Sequence, residues 1–287
     1  MTGLTRFAAY AARKREEAEK AHIATLTTVL HKAGDPVHGV GNAWTRAHYG
    51  SEFDVRDAPE GRTALSLVFV QSKDRNTGSN DPSALGGGAT DTHLIYEGLS
   101  RVAADGVLAG AATVHRDAFF SVWHPELVDL RRSLGLPRHP AQIVVSKNGR
   151  VDFNALLFNV PDLPVFVLAG MECLGRCQAQ FAERPWVRRV AFDGEDVSTA
   201  IHQLYAREGM RRISCVGGRF TASRLVDAGL AQDLYLTTTA QNGGEPGTPW
   251  YSGATAPRLD LVTRKEWLDD GSPIVFEHFL INRPPGG

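Results

Sequence analysis

The chain has 287 residues, of which 31 are Lys or Arg and 32 are Asp or Glu, so its formal net charge is −1. A chain of this length can bury a substantial core, as one large domain or two small ones. The balance of charge excludes the basic excess that neutralises nucleic-acid phosphates or binds anionic membranes, and leaves open a local basic pocket for one small anion.

Cysteine usage and hydropathy point to a reducing compartment. The three cysteines, Cys173, Cys177 and Cys215, are too sparse and odd in number to form a disulfide framework. No segment approaches the roughly 18 apolar residues that cross a bilayer, and the N-terminus lacks the apolar stretch of a secretory signal. We therefore expect a cytoplasmic protein with a small-molecule substrate and neither nucleic acid nor membrane as a partner.

The N-terminal part of the chain predicts a helix followed by an irregular segment. A rough apolar stripe from Phe7 to Leu30 predicts one helix over residues 5–33, and Gly34 follows as a stop signal. Residues 34–63 are rich in Gly, His and aromatic side chains and show little periodicity.

Near residue 62 the pattern changes to alternating strands and helices, so we divide the chain into an N-terminal helical extension, 1–61, and a main domain, 62–287. Strands are predicted at Ala64–Gln71, Gly106–Ala109, Gln142–Ser146, Val165–Ala169, Val187–Phe192 and Arg212–Val216, and helices at Asp91–Ala103, Pro125–Leu134, Glu172–Glu183, Ser198–Glu208 and Thr221–Ala228. Two more strands, Leu259–Trp267 and Ile274–Leu280, flank an Asp-Asp-Gly turn and predict a C-terminal antiparallel hairpin. The class is α/β, with a mixed, mostly parallel sheet and helices on both faces.

Two of these strands end in small residues. Gly106–Ala109 leads into Gly110-Ala111-Ala112-Thr113, where a ligand can approach the backbone closely. Gly217-Gly218 lie between a strand and a helix, where free N–H groups and the helix dipole favour a phosphate. Either loop alone is also compatible with an ordinary tight turn. If the two strands are neighbours, one nucleotide can span both loops, although no GxGxxG motif follows the first strand.

Taken together, Arg101–Asp117 and Ile213–Ala240 resemble the reductase domain of riboflavin biosynthesis. The matching positions are Arg101, Asp105, Gly110, Thr113 and Asp117, followed by Val216, Gly217, Gly218, Leu230 and Gln232-Asp233-Leu234. The resemblance extends over about residues 62–281. It implies a dihydrofolate-reductase-like fold, a homodimer, NADPH as hydride donor, and a ribosylaminopyrimidine phosphate whose ring-opened sugar imine is reduced to a ribityl chain.

The resemblance also assigns site residues by position. The cofactor-binding residues would be Gly110, Ala111, Thr113, Gly217, Gly218, Arg219 and Phe220, with Ser146, Lys147 and Arg150 as candidates for the adenosine 2′-phosphate. Ser146, Lys147 and Arg150 are equally compatible with an ordinary basic turn. The substrate-binding residues would be Ser72, Arg75 and Arg101, the catalytic carboxylates would be Asp117 and Asp74, and no metal is expected.

The chain departs from the family pattern mainly at substrate-side positions. Val216 replaces a glutamate, Asn76 replaces a lysine, and residues 118–124 lack the family's Asn-Pro and its arginine for the substrate phosphate. Phe119 and Trp123 in that segment indicate either a more apolar pocket or core packing. Two alternatives therefore stay open: a reductase of a different carbonyl, imine or heterocycle, and a non-catalytic nucleotide-binding protein.

A zinc deaminase is excluded by cysteine spacing. His124-Pro125-Glu126 and the later pair Cys173 and Cys177 superficially resemble its zinc ligands. That signature requires Pro-Cys-x-x-Cys, whereas this chain has Cys-x-x-x-Cys without the proline.

Overall fold

A ten-stranded mixed sheet dominates the computed structural model, which describes residues 3–32, 37–79, 85–147, 150–192 and 196–282. Within those ranges the sheet order is β1-β11-β12-β10-β4-β9-β5-β6-β7-β8, and β2 and β3 form a separate antiparallel pair. The strands are β1 (Thr27–His31), β2 (Val37–Val40), β3 (Phe53–Arg56), β4 (Ala64–Gln71), β5 (Gly106–Gly110), β6 (Ala141–Ser146), β7 (Val165–Ala169), β8 (Val187–Ala191), β9 (Arg212–Cys215), β10 (Asp233–Thr238), β11 (Arg258–Asp269) and β12 (Ser272–Asn282).

The strand directions confirm the predicted sheet. Neighbours from β10 through β4, β9, β5, β6 and β7 to β8 pair in parallel. The hairpin of β11 and β12 is antiparallel and joins the sheet through β10. This mixed, mostly parallel sheet with a C-terminal antiparallel hairpin is the arrangement that the sequence predicts. It also places β5 and β9 side by side, so their two small-residue loops lie at adjacent strand ends.

Helices cover both faces of the sheet. They are α1 (Gly3–Lys20), α2 (Ala43–His48), α3 (Gly88–Thr90), a π-helix here called π1 (Asp91–Leu99), α4 (Pro125–Ser133), α5 (Met171–Arg176), α6 (Gln178–Ala182), α7 (Ser198–Glu208) and α8 (Arg219–Asp227). Successive β-strand side chains point to opposite faces, so in β5 Val107 packs on the face covered by α1, π1 and α4, and Leu108 packs on the face covered by α7 and α8.

The helix predicted over residues 5–33 is wrong beyond Lys20. The chain leaves α1 there and returns as β1, which pairs antiparallel with β11 at the sheet edge. Thr27, Thr28 and Val29 are β-branched residues, which favour a strand, and pairing with β11 fixes that preference. The predicted stop at Gly34 lies outside the described residues, and the domain boundary between residues 61 and 62 stays a prediction.

The N-terminal segment is held to the sheet by buried polar contacts. Lys265 of β11 donates hydrogen bonds to Thr28 Oγ1 at 2.7 Å and to the Tyr49 carbonyl oxygen at 2.8 Å. Arg56 of β3 contacts the buried Asp233 carboxylate with its Nε at 2.7 Å, and His278 contacts the same carboxylate at 2.8 Å. Burial raises the pKa of Asp233, but the contacts with His278 and Arg56 lower it overall.

Two helices differ clearly from their predicted bounds, and one strand is missing from the prediction. The helix predicted at Glu172–Glu183 is interrupted at Cys177, giving α5 and α6. The helix predicted from Thr221 begins at Arg219, directly after the glycine pair. Strand β10 is absent from the predicted elements, because its buried Asp233 and Thr237 interrupt the apolar run from which the other buried strands are predicted.

Candidate active site

A cleft of about 1470 Å³ opens where β5, β6 and β9 end. The loops that directly follow these strands line one half of the cleft. The helices π1 and α1, together with the chain from residue 115 to residue 123, line the other half. This is the edge of a parallel sheet at which α/β proteins bind ligands. Of the predicted cofactor residues, those lining the cleft are Gly110, Ala111, Thr113, Ser146, Lys147, Gly217, Gly218, Arg219 and Phe220.

The two glycine loops touch each other. The Gly110 amide donates a hydrogen bond to the Gly217 carbonyl oxygen at 3.3 Å. A Cβ on Gly110 would lie 2.8 Å from Thr221 Oγ1, and one on Gly218 would lie 3.4 Å from the Gly110 Cα. Gly217 and Gly218 also have φ angles of +132° and +87°, which side-chain-bearing residues rarely adopt. Space therefore favours glycine at Gly110, and backbone conformation favours it at Gly217 and Gly218.

The start of α8 is suited to an anion. Gly218 is its N-cap and provides no side-chain hydrogen bond to the first-turn amides. These amides and the helix dipole attract a phosphate. Phe220, in the same turn, is 77% exposed and lines the cleft. The loop geometry therefore fits the pyrophosphate of a dinucleotide such as NADPH.

The residues predicted for the 2′-phosphate are only partly brought to the cleft. Ser146 is buried and Lys147 is exposed, and both line it. Arg150 does not line the cleft, and its carbonyl oxygen accepts a hydrogen bond from Ser146 Oγ at 3.3 Å.

Three predicted substrate-side residues lie away from the cleft lining. Ser72, Asp74 and Arg75 form a turn that is bound to the loop around Gly243. Ser72 Oγ donates to the Gly243 carbonyl oxygen at 2.9 Å, and the Gly243 amide donates to Asp74 Oδ2 at 3.2 Å. The role of this turn in the substrate site therefore stays a prediction, and in the structure Ser72 and Asp74 hold a neighbouring loop.

The π-helix determines which side chains face the cleft. Hydrogen bonds of a π-helix run from residue i to i+5, so residues about five apart share a face, whereas an α-helix aligns residues three or four apart. Asp91 and Tyr96 follow the wider spacing, as do Thr92 and Glu97, and Arg101 lies two residues after π1 ends. All five residues line the cleft. Most of this set is not predicted from the sequence, because the apolar residues of the segment also fit α-helical periodicity.

Arg101 is a buried cation with unused donors. It is 2% exposed, its Cζ lies 3.6 Å from the centroid of the Tyr96 ring, and its Nη1 donates to the Ser121 carbonyl oxygen at 3.2 Å. Its Nε and Nη2 are buried and have no hydrogen-bond partner among the described residues. Unpaired buried donors cost free energy, so this side chain favours an anionic ligand.

Two buried acids, Asp91 and Glu97, lie on π1. Asp91 is 9% exposed and accepts a hydrogen bond from Thr237 Oγ1. Burial raises the pKa of Asp91 to about 7, although the Thr237 hydrogen bond lowers it. Glu97 Oε2 accepts a hydrogen bond from the Trp123 amide at 2.9 Å and lies 3.1 Å from His93 Nδ1. Asp91 can therefore hold a proton near neutral pH at the floor of the cleft.

Asp117, predicted as a catalytic carboxylate, lies at the rim. Its side chain is 56% exposed and forms an ion pair with Arg6 of α1 at 2.8 Å. The hydrogen bond from Arg6 lowers the pKa of Asp117. An ionised carboxylate in this position can accept hydrogen bonds and is poorly suited to donate a proton.

Among the residues that the structure describes, no group of three or more His, Cys, Asp or Glu side chains is arranged to hold a metal ion. None of the described helices combines the length and the apolar character needed to cross a bilayer.

The fold and cleft define an α/β protein with a ligand site across adjacent strand ends. The chain belongs to the RibD C-terminal domain family, whose model matches residues 82–266, more than half of the sequence. This family comprises reductases of riboflavin biosynthesis, as the sequence resemblance indicated. No curated protein matches the chain.

Solved structures share the fold at low sequence identity. A pyrimidine reductase-like protein from Corynebacterium diphtheriae is 20% identical, with 77% of this chain and 93% of that chain covered and a TM-score of 0.63. Acinetobacter baumannii RibD is 14% identical, with 78% and 59% covered and a TM-score of 0.57. The riboflavin biosynthesis reductase of Saccharomyces cerevisiae is 18% identical, with 78% and 93% covered and a TM-score of 0.52.

Proposed function

We propose that the protein is an NADPH-dependent reductase that acts on 5-amino-6-(5-phosphoribosylamino)uracil or a close relative. In this reaction the ring-opened sugar imine of the substrate is reduced to a ribityl chain. The observation that carries the proposal is the contact between Gly110 and Gly217-Gly218, which leaves the backbone of two adjacent strand ends open to one dinucleotide.

The half of the cleft that is lined by the loops after β5, β6 and β9 is called the cofactor half, and its residues have separate roles in this proposal. NADPH, when bound, supplies the hydride. The amides that follow Gly217 and begin α8 bind the pyrophosphate. Ser146 and Lys147 bind the 2′-phosphate, and Arg150 adds positive charge from outside the cleft lining.

The other half, which is lined by π1, α1 and the segment after Asp117, is called the substrate half, and it supplies a proton and an anion site. Asp91 would donate its carboxyl proton to the imine nitrogen and become a carboxylate, while the hydride supplied by NADPH would add to the imine carbon and leave NADP⁺. Arg101, which lines the cleft with its Nε and Nη2 unpaired, attracts an anionic group of the substrate through its positive charge. Asp117 accepts hydrogen bonds at the rim, while Ser72 and Asp74 act by holding the adjacent loop.

A second candidate is a reductase of the same fold with a different carbonyl, imine or heterocyclic substrate. The observation that favours it is the segment after Asp117, where Phe119, Phe120 and Trp123 are buried and line the cleft. A non-catalytic nucleotide-binding protein is the third alternative, and it predicts NADPH binding without turnover.

NADPH titration by calorimetry tests the assignment of the cleft. Gly218→Asp brings a carboxylate to the phosphate and is expected to abolish saturable binding. Gly209→Asp is the matched control, because Gly209 also has a positive φ, of 68°, and an added Cβ there meets nothing within 4 Å. Equal NADPH affinity in wild type and Gly218→Asp would contradict the assignment.

Turnover then separates the three candidates. NADPH oxidation is followed by absorbance with the ribosylaminopyrimidine phosphate and with a panel of other carbonyl, imine and heterocyclic compounds. Oxidation with the pyrimidine substrate supports the first candidate, oxidation only with another compound supports the second, and binding without oxidation supports the third. The proposed homodimer is tested by light scattering, and the proposed cytoplasmic location by cell fractionation.

A further inference from the structure

One face of α1 is directed at the cleft. Arg6, Tyr10 and Lys14 are spaced by four residues and therefore lie along one stripe of the helix. Tyr10 and Lys14 line the cleft. Arg6 anchors the stripe through its ion pair with Asp117 and through hydrogen bonds to the carbonyl oxygens of Arg116 and Asn154. All three residues lie outside the segment that matches the family model.

The helix packs on the segment in which the chain departs from its family. The Phe7 and Phe119 ring centroids are 4.8 Å apart, and the Tyr10 ring lies 5.7 Å from that of Trp123 in an edge-on arrangement. Tyr10 OH donates to the Phe119 carbonyl oxygen at 3.4 Å. The segment after Asp117 and α1 therefore form one packed unit at the substrate half of the cleft.

The side chains gathered there have a consistent chemistry. Aromatic rings line this half, and two cations accompany them: Arg101, which is buried with unused donors, and Lys14, whose side chain is 34% exposed. Lys14 Nζ contacts Glu17 at 2.8 Å, but Arg13 also contacts Glu17 at 2.8 Å. Glu17 therefore keeps a partner when Lys14 turns to a ligand.

We propose that α1 is the outer wall of the substrate site, and that Tyr10 and Lys14 select a planar ring joined to an anionic group. The ring stacks on Tyr10, and the anion lies between Lys14 and Arg101. This inference rests on the proposed function, because it assigns a substrate class to the same cleft, and it gives a part in recognition to residues that the family does not supply.

The test uses UMP as a probe, because it joins a pyrimidine ring to a phosphate. UMP is titrated by calorimetry into the full-length protein already saturated with NADPH, so that the cofactor half is occupied. Uridine and ribose 5-phosphate are titrated separately to resolve the contributions of the ring and the phosphate. We expect UMP to bind more tightly than either fragment.

The variants report on the two residues independently. Tyr10→Ala is expected to weaken UMP and uridine binding by about tenfold, the usual effect of removing a stacking ring. Lys14→Glu is expected to weaken UMP and ribose 5-phosphate binding by about tenfold or more and to leave uridine unchanged. Lys20→Glu on the same helix is the charge-matched control, since Lys20 is exposed and does not line the cleft.

NADPH affinity is measured for every variant and is expected to stay at the wild-type value. Failure of NADPH to bind the wild type would overturn the proposed function itself. Normal NADPH binding with equal UMP affinity in wild type, Tyr10→Ala and Lys14→Glu would overturn the role of α1 alone. Failure of UMP to bind the NADPH-saturated wild type would overturn the substrate class.

Discussion

The Gly110 amide donates a hydrogen bond to the Gly217 carbonyl oxygen, so the loops after β5 and β9 are joined directly through their backbones. This contact requires small residues on both sides, since an added Cβ on Gly110 would lie 2.8 Å from Thr221 Oγ1. Two strand ends that are about a hundred residues apart in sequence become one surface. The cofactor proposal depends on the shape of that surface.

Gly110→Ala is expected to weaken NADPH binding about tenfold by forcing the two loops apart, as added volume in a packed contact costs about 1–3 kcal/mol. The backbone of Gly110 has φ −67° and ψ 146°, which alanine adopts freely, so the effect is steric. Thr221→Ala removes the obstructing oxygen, and Gly110→Ala/Thr221→Ala is expected to recover most of the affinity. Calorimetric titration of all three variants measures the coupling, and a double variant as weak as Gly110→Ala would argue against a steric cause.

Asp91→Asn is expected to slow hydride transfer by at least about 100-fold, because general acids contribute on that order. In the wild type the rate should fall as pH rises through about 7, where Asp91 loses its proton. Thr237→Val should move this fall to higher pH, since the Thr237 hydrogen bond lowers the pKa of Asp91. Single-turnover NADPH oxidation across pH measures both effects, and an unchanged profile in Asp91→Asn would exclude Asp91 as the acid.

The raised pKa of Asp91 also predicts how the free energy of unfolding depends on pH. Its pKa in the folded state, about 7, exceeds the ordinary value of 3.8. At pH values between these two, the folded state therefore retains a proton that the unfolded state releases. The contribution of Asp91 to stability should therefore fall as pH rises from about 4 to about 7 and then level off. Urea unfolding across this range should show a shallower decline for Asp91→Asn than for the wild type. Parallel curves would indicate an ordinary pKa.

Lys147→Glu should lower NADPH affinity about tenfold or more and leave NADH affinity unchanged, because only NADPH carries the 2′-phosphate. Arg150→Glu is the companion variant. Because Arg150 does not line the cleft, its charge reversal should have a smaller effect. Paired titrations with the two cofactors measure the preference, and equal losses for NADPH and NADH in Lys147→Glu would place the 2′-phosphate elsewhere.

Arg56→Ala should destabilise the whole fold by about 3–5 kcal/mol, since it removes a partner from a buried carboxylate. Arg46→Ala, which breaks an exposed pair with Glu52, should cost less than about 1 kcal/mol. The overall pKa of Asp233 is lowered, so the stability that its network provides should be lost as pH falls through the acidic range. Guanidinium unfolding measures these differences, and similar values for the two variants would show that the N-terminal segment is not coupled to the sheet.

The sequence predicts the parts of the fold and site that depend on local patterns. Strand bounds such as Ala64–Gln71 and Val165–Ala169 follow from continuous apolar runs between turn signals. The two glycine loops are predicted from the sequence because glycine allows backbone conformations and close approaches that other residues do not. Whether their two strands are neighbours is left open by the sequence, and the parallel pairing of β5 with β9 in the structure meets that condition.

The missed features depend on contacts between distant residues. No local pattern relates Tyr10 to Arg101, and only packing brings α1 to the cleft. The apolar residues Leu94, Ile95 and Leu99 also fit an α-helix, so the π-helical spacing that aligns Asp91 with Tyr96 could not be read from them. β1 was assigned to a helix because its pairing partner lies more than 200 residues away.

A crystal structure of the protein with NADPH tests the central proposal most directly. We expect the pyrophosphate within hydrogen-bonding distance of the amides of Gly218 and Arg219. We expect the 2′-phosphate beside Lys147 and the nicotinamide on the side of Asp91. NADPH bound outside the Gly110 and Gly217 loops, or a cleft left empty at a saturating concentration of NADPH, would contradict it.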